Sequence, residues 1–465
     1  MYFMKLKLYT LTLLFCFTGI VNAQTIQPFQ QGDRVVFTGN SITDGGHYHS
    51  YIWLYYLTHY PGRRITVFNA GIGGDVAQQI FERLDSDVFA RKPTVMTLTF
   101  GMNDTGYQNL KGDKADSTYD AKVAVSLKSF DLIKAKLKAH PEVKKIMISS
   151  PPYDETSKIK INPLLKKNTA ILRIAAEQQR AAKANGWGYA DFNGGLTQVS
   201  LHEQQRDSLF TFNNADRIHP ANDGQMVMAY TFLKAQGLAG KKVADIVFNA
   251  KTGKVEHVEN CAITLPNITS ATIKFNYLAN SLPYPPDTIP NGFGRPQRAQ
   301  SEALKLIPFT DEFNQEILQI KGLKESQYGL KIDGKAIGIY SSTDFEKGIN
   351  LALINTTPQY QQALAVMYLN EERWEIERRL REYYWIQYSI LKPKGLLYND
   401  GDTTVDSLQK YAKKDFFVAI TMPTYRKARF KSVREAWQQE IDLLTDKMYQ
   451  INKPVVHHFE ISLIK

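Results

Sequence analysis

The first half of this sequence predicts an α/β fold in which a parallel sheet is covered by helices on both faces, and the second half predicts a mixed set of strands and long helices. Two observations carry the first prediction. From Arg34 to about Gly240, short runs that are apolar nearly throughout alternate with longer stretches of helical periodicity, the pattern of strands buried on both sides and joined by crossover helices. The runs end in polar loops rich in glycine, serine or proline, and in such folds these loops gather beyond the carboxyl ends of the strands, where ligand chemistry sits. The second prediction rests on a change of pattern after Gly237 and Gly240, from evenly spaced strand and helix pairs to short irregular runs.

Taken in order, strands are expected at 35–38, 65–69, 94–100, 145–150 and 188–191, and helices at 50–60, 76–90, 119–140, 163–185 and 223–236. Strand-like runs follow at 245–248, 262–265 and 272–278, then a proline- and glycine-rich stretch over 283–296 that excludes regular structure. Two alternating runs flank Asp333-Gly334, a hairpin signal. A long helix rich in charges and aromatics is expected over 358–391, another over 432–448, and a strand over 455–464. With 465 residues the chain exceeds one ordinary core. We divide it into an export signal at 1–23, a catalytic domain at 24–240 and a C-terminal module at 241–465. No Pro/Ser/Gly linker lies between Gly237 and Val243, so the two halves are expected to be docked.

The export signal is read from Lys5 and Lys7 ahead of an apolar run to Val21, and from the small-residue site Val21-Asn22-Ala23 before Gln24. The run is shorter than the ~20 residues that span a bilayer, so no stable membrane anchor is expected and the product would be periplasmic or extracellular. Cys16 lies within this run behind the bulky Phe15, which argues against lipidation and leaves Cys261 as the single thiol of the exported chain. No internal disulfide can then form, and Cys261 is expected to be a buried structural thiol. The formal charge is +11, but the lysines are dispersed along helices and no nucleic-acid motif occurs, so no nucleic-acid partner is expected. No metal-ligand spacing is found: His457 and His458 are adjacent and would point to opposite faces of a strand.

Ser41 follows the first strand in Gly39-Asn40-Ser41. A serine there also suits a helix N-cap, as does Asp216 before the last helix, and Asn103 and Gly74 suit ordinary turns. Their joint occurrence at successive strand ends is what points to chemistry. Acyl transfer needs a nucleophile, a base, a group that orients the base, and donors aimed at the oxyanion. Asp216 and His219 are three residues apart, so the carboxylate can reach one imidazole nitrogen and leave the other for Ser41. The Asn103 side chain and the backbone N–H groups of Gly74 and Ser41 supply the oxyanion donors. His47, Asp75 and Tyr107 lie in or beside these loops and are candidate substrate contacts, while Tyr48 and Trp53 suit either sugar stacking or the core.

The segments Gly39-Asn40-Ser41, Asn69-Ala70-Gly71-Ile72-Gly73-Gly74-Asp75, Gly101-Met102-Asn103-Asp104 and Asp216-Arg217-Ile218-His219 resemble, in order and approximate spacing, the four blocks of the SGNH hydrolase superfamily, the GDSL-type esterases and lipases. The resemblance covers residues 34–238. It implies a flavodoxin-like three-layer α/β/α domain without a cofactor, with Ser41 as nucleophile, His219 as base, Asp216 as its orienter, and Ser41, Gly74 and Asn103 as the oxyanion hole. Asn40 departs from the aspartate of the family name and points to a branch frequent among secreted proteins that deacylate carbohydrates. The C-terminal half resembles a module that accompanies such domains in some bacterial proteins.

The expected function is therefore an exported serine esterase that removes small acyl groups, acetyl first, from carbohydrates or other small esters. Two alternatives stand beside it: a lipase, lysophospholipase or thioesterase on longer chains, and a non-catalytic carbohydrate-binding protein on a hydrolase fold. The intact set of five site residues speaks against the last. The polar character of the site loops, with Asp44, His47, His49, Asp75, Asp104 and Thr105, favours short acyl groups. Trp374, Tyr383, Tyr384 and Trp385 on the long helix are the residues that would supply an apolar wall.

Overall fold

The structure is a computed structural model that describes residues 26–109, 112–269, 271–292 and 296–464; the expected export signal lies outside them. Strands β1 (Arg34–Gly39), β2 (Thr66–Gly71), β3 (Val95–Phe100), β4 (Lys144–Ser149) and β5 (Gly188–Ala190) form one sheet in the order β2-β1-β3-β4-β5. Every pairing in it is parallel. Along β1, Val35 and Phe37 enter the core on one face and Val36 the core on the other, as apolar runs without polar alternation require. Helices α2 (Tyr48–His59), α6 (Phe192–Glu203) and α7 (Asn222–Ala235) cover the first face. Helices α3 (Ala77–Arg83), α4 (Asp113–Lys138) and α5 (Lys167–Asn185) cover the second. The short helix α1 (Ser41–Asp44) lies between β1 and α2.

Most boundaries fall within a few residues of expectation, and the departures have local causes. The helix expected over 76–90 widens into a π turn at Leu84–Val88, where Asp87 is drawn inward by Arg83 at 2.8 Å. Helix α6 was not expected, because Gly194-Gly195 lowers its propensity. It forms because the Asp191 side chain caps it by accepting from Gly194 N–H at 3.0 Å, and because Gly195 lets it approach Thr231 of α7 closely.

The residues after Val243 form the expected mixed module of strands and helices, built from two bodies. The first is a sandwich. Strands β6 (Ala244–Asn249), β7 (Lys254–Glu259), β10 (Glu316–Lys321) and β13 (Ile349–Asn350) order as β13-β10-β6-β7. Strands β8 (Cys261–Ile268), β9 (Thr272–Ala279), β11 (Gln327–Ile332), β12 (Lys335–Ser341) and β14 (His457–Leu463) order as β12-β11-β14-β9-β8. Phe248, Leu318, Phe275, Leu330 and Phe459 fill the space between the two sheets. The hairpin expected at Asp333-Gly334 joins β11 to β12. Strand β14 alternates, with His457 buried and His458 exposed, and pairs with β11 on one side and β9 on the other. Cys261 is partly buried at the edge of this core, and burial pushes its thiol up to about 12.

The second body is helical and enters the chain between β13 and β14. It consists of α10 (Pro358–Trp385), α11 (Asp402–Ala412), α12 (Phe416–Ala428) and α13 (Lys431–Ile451); α8 (Phe309–Phe313) and α9 (Ser342–Lys347) are short pieces of the sandwich connections. Among the described residues no helix is long and apolar enough to cross a membrane.

The helical body is docked on the first sheet's helices. All twelve residues of α2 are buried, the polar His49, Ser50, Thr58 and His59 among them, because α10 covers the face that the sheet does not. Val366, Met367, Met448 and Tyr449 share one core with Trp53, Leu54 and Leu57. The Tyr449 hydroxyl accepts from Trp53 Nε1 at 3.1 Å and from Ile65 N–H at 2.9 Å, and donates to Ile65 C=O at 3.0 Å. Asn69 N–H donates to Glu377 at 2.8 Å. A fragment ending near Gly240 would expose this surface to water. It is expected to be insoluble or to melt well below the intact chain in thermal unfolding; a soluble, fully active fragment with an unchanged Tm would show the halves to be independent.

Candidate active site

The site lies at the carboxyl ends of β1, β2 and β3. After β1 the chain turns at once into α1, and it is Asn40, not Ser41, that caps this helix: its Oδ1 accepts from Ile42 N–H at 3.0 Å. Ser41 is therefore free of capping duty, and its hydroxyl faces His219 with Oγ 2.8 Å from Nε2. The close seat of α1 on β2 requires Gly71, where a methyl group would lie 2.2 Å from the Asp44 nitrogen.

His219 and Asp216 come from the loop before α7. The Asp216 Oδ2 lies 2.6 Å from His219 Nδ1, while Oδ1 accepts from the N–H groups of Ile218 at 2.8 Å and His219 at 3.1 Å. Burial works against ionisation of Asp216, but these contacts outweigh it and hold its pKa below the ordinary value. With Asp216 ionised, Nδ1 carries the proton and Nε2 is left to accept from Ser41. Ser41, His219 and Asp216, three candidates far apart in sequence, thus meet in one hydrogen-bonded line.

Arg217, which sequence reasoning passed over, builds this loop. It sits at φ +65°, an uncommon conformation for a side chain other than glycine. Its guanidinium is 1% exposed and donates to the carbonyls of Ile161, Asp154, Ser157 and Ile159 at 2.7–3.2 Å. Its own carbonyl accepts from Asp154 N–H and from Asn213 Nδ2. The signal was a long cation set between Asp216 and His219, but its target lies on another loop.

The expected oxyanion donors come from the next two loops. Gly74 has φ +87°, which an L side chain adopts only under strain, and a methyl group there would meet nothing within 4 Å. Asn103 donates from Nδ2 to the Asp75 carbonyl at 2.9 Å and accepts at Oδ1 from the Tyr107 hydroxyl. These two partners fix which end of the amide is nitrogen, and they use one of its two N–H bonds, leaving the second. Asp104 staples the loop by accepting from Ala77 N–H, Ser126 Oγ and Gly101 N–H at 2.7–2.9 Å. Lys167, also unforeseen, is fully buried beneath it and donates to Met102 C=O, Thr105 Oγ1 and Gly106 C=O at 2.6–2.7 Å. Burial lowers its pKa to about 7.

Comparison with known proteins gives the family. Residues 37–227 match the GDSL-like lipase/acylhydrolase family, and residues 364–453 match the diltiazem deacetylase C-terminal helical domain. The chain is 46% identical to the solved structure of a gut microbial diltiazem-metabolizing enzyme, with a TM-score of 0.92 over 95% of this chain and 100% of that one. The chain belongs to the SGNH/GDSL esterase family. It is an ester-bond hydrolase, and it is also similar to the acetylxylan esterase of Geobacillus stearothermophilus, 27% identical over 222 residues that cover 44% of this chain and 94% of the relative.

Two of the expected substrate contacts of this esterase are turned away from the site. His47 is buried, stacks on Trp374 with ring centroids 3.9 Å apart and lies 3.4 Å from Glu371, so it joins α2 to α10. The Asp75 carboxylate is buried against Arg83 Nε at 2.6 Å; burial, partly offset by Arg83, raises its pKa to about 6. Only its backbone reaches the site, through Asn103. Tyr107 is 46% exposed and remains beside Asn103. Tyr48 and Trp53 are core residues. Of the aromatics on α10, Trp374 and Tyr383 are buried; Trp374 donates to Gly46 C=O at 3.1 Å in the loop that follows Ser41, and Trp385 donates to Gly73 C=O at 3.1 Å in the loop after β2. Among the described residues, Asp245, His257 and Glu259 bring three potential metal-ligand atoms together, but they lie on the sandwich, where Lys242 pairs with both carboxylates.

Proposed function

We propose that this esterase removes small acyl groups, acetyl above all, from carbohydrates or comparably compact alcohols, with Ser41, His219 and Asp216 as its catalytic triad. The observation that carries this reading is the line from Ser41 Oγ to His219 Nε2 at 2.8 Å and from His219 Nδ1 to Asp216 at 2.6 Å. Ser41 Oγ attacks the ester carbonyl carbon as its proton passes to Nε2. The oxyanion accepts from the backbone N–H groups of Ser41 and Gly74 and from the second Nδ2–H of Asn103. Collapse breaks the bond to the alcohol, which takes the proton from Nε2. Water then gives a proton to Nε2 and attacks the acyl-serine, and collapse of the second oxyanion releases the acid and returns the proton to Ser41.

The acyl group is the feature that the relatives' names share, deacetylase in one and acetylxylan esterase in the other; the alcohol is what differs. Acetate release from a panel of acetylated glycans and aryl acetates tests the alcohol preference, and activity confined to aryl acetates would remove carbohydrate from the reading. Chain length is tested with nitrophenyl esters from C2 to C10. A site whose loops carry the polar residues Asp44, Asp104 and Thr105 gains little from the ~0.8 kcal/mol available per buried methylene. So kcat/KM is expected to be highest for acetate and to fall by butyrate, with octanoate nearly inert; a rise toward C8 would favour the lipase reading. Residues 1–23 are proposed as a removed export signal on the strength of Lys5, Lys7 and Val21-Asn22-Ala23, and a mature protein beginning at Gln24 by mass spectrometry tests it.

A further inference from the structure

The loop after β2 is a β-turn of Ile72-Gly73-Gly74-Asp75, closed by Asp75 N–H donating to Ile72 C=O at 3.2 Å. Gly74 stands at its third position with φ +87°, the left-handed value that a type II turn demands there. The same four residues can form a type I turn by rotating one unit, the peptide between Gly73 and Gly74, and with glycine on both sides no Cβ resists that rotation. This peptide is planar and trans, so its C=O and N–H point in opposite directions. Whatever holds the Gly73 carbonyl therefore decides where the Gly74 N–H points.

That carbonyl accepts from Trp385 Nε1 at 3.1 Å, from the last turn of α10. The indole lies against the turn: a methyl group on Gly73 would be 3.3 Å from Nε1. The stem of the turn is held by other groups. Asp44 accepts from Gly73 N–H at 3.1 Å, and Arg381 donates twice to Gly71 C=O at 2.8 and 3.0 Å. Trp385 acts on the rotating plane itself.

We propose that Trp385 is a positioning residue for ester cleavage: its indole N–H locks the Gly73–Gly74 peptide in the orientation that presents the Gly74 N–H to the oxyanion, so that the helical body completes an oxyanion hole built on the parallel sheet. The proposal rests on the reading of Gly74 as an oxyanion donor. Donation into the carbonyl also polarises the amide and makes its N–H a stronger donor.

Trp385→Phe in the full chain removes the donor and keeps a ring. On nitrophenyl acetate its kcat is expected to fall at least ~10-fold, toward the ~100-fold or more that loss of a whole oxyanion donor brings, with KM within about twofold, because the bond to the oxyanion exists only in the transition state. Trp385→His, which keeps a ring N–H, is expected to retain more turnover than the Phe variant. Tyr449→Phe weakens the same docking away from the turn and is expected to lower Tm while leaving kcat unchanged. A kcat for Trp385→Phe within twofold of the parent overturns the proposal, as do equal turnover in the Phe and His variants or an equal kcat loss in Tyr449→Phe. Ser41→Ala run in parallel separates the two readings: if it is inactive while Trp385→Phe is unimpaired, only the positioning role falls, and if it stays active, both fall.

Discussion

Ser41→Ala is expected to leave a folded protein whose ester turnover is about a million-fold lower, the usual scale for loss of a triad nucleophile. The fold should survive because Asn40 carries the cap of α1 and alanine is the best helix former for the first position of that helix. The Ser41 hydroxyl has His219 Nε2 as its partner at 2.8 Å, a hydrogen bond worth on the order of 1 kcal/mol in stability. In the proposed mechanism activity depends on the same oxygen for a different reason: without it no acyl-enzyme can form, and the donors and base could only assist direct attack by water. A serine-directed phosphonate should label Ser41 in the parent and nothing in the variant. Labelling elsewhere, or near-normal turnover in the variant, would assign the nucleophile to another residue.

Asn103→Ala is expected to lower kcat by ~100- to 1000-fold, about 3–4 kcal/mol, with little change in KM. The split follows from where the amide is engaged. In the resting site it already serves Asp75 C=O and the Tyr107 hydroxyl, so an uncharged ester carbonyl competes for one weak donor only. Once negative charge develops on that oxygen, the second N–H meets it at full strength in a site that needs no reorganisation. The structural cost should be small, because Tyr107 is exposed enough to take a water in place of Oδ1. A raised KM with kcat unchanged would make Asn103 a substrate-binding residue instead.

The parts of the site that could be read in the sequence are those whose chemistry is local. Ser41, Gly74 and Asn103 each follow a buried strand, and Asp216 and His219 meet within one turn, so residue type and spacing are enough to place them together. His47 and Asp75 were misread because a polar residue in a site loop looks the same whether it faces solvent or a buried partner. The partners here are Glu371 and Trp374 on a distant helix in one case and Arg83 in the other. Arg217 and Lys167 escaped for the complementary reason: each is a long basic side chain that donates to oxygens of a loop brought near by the fold. Helix α12 was hidden because Pro423 stands inside it and because Phe416 and Phe417 at its start are exposed, which breaks the apolar stripe. Docking was foreseen from the missing linker, but not that α10 would reach the site through Trp385.

Strand β14 lies in the middle of its sheet, between β11 and β9, although the whole helical body precedes it in the chain. During synthesis, β8–β9 and β11–β12 must therefore wait as two half-sheets, each with an unpaired edge facing the other across a gap one strand wide. Closure across so long an intervening segment is a slow kind of contact to make. Until His457–Leu463 emerges, the nascent chain carries a slot that any extended segment with alternating apolar residues can enter, and a chaperone or a second nascent chain competes with the protein's own last strand for it.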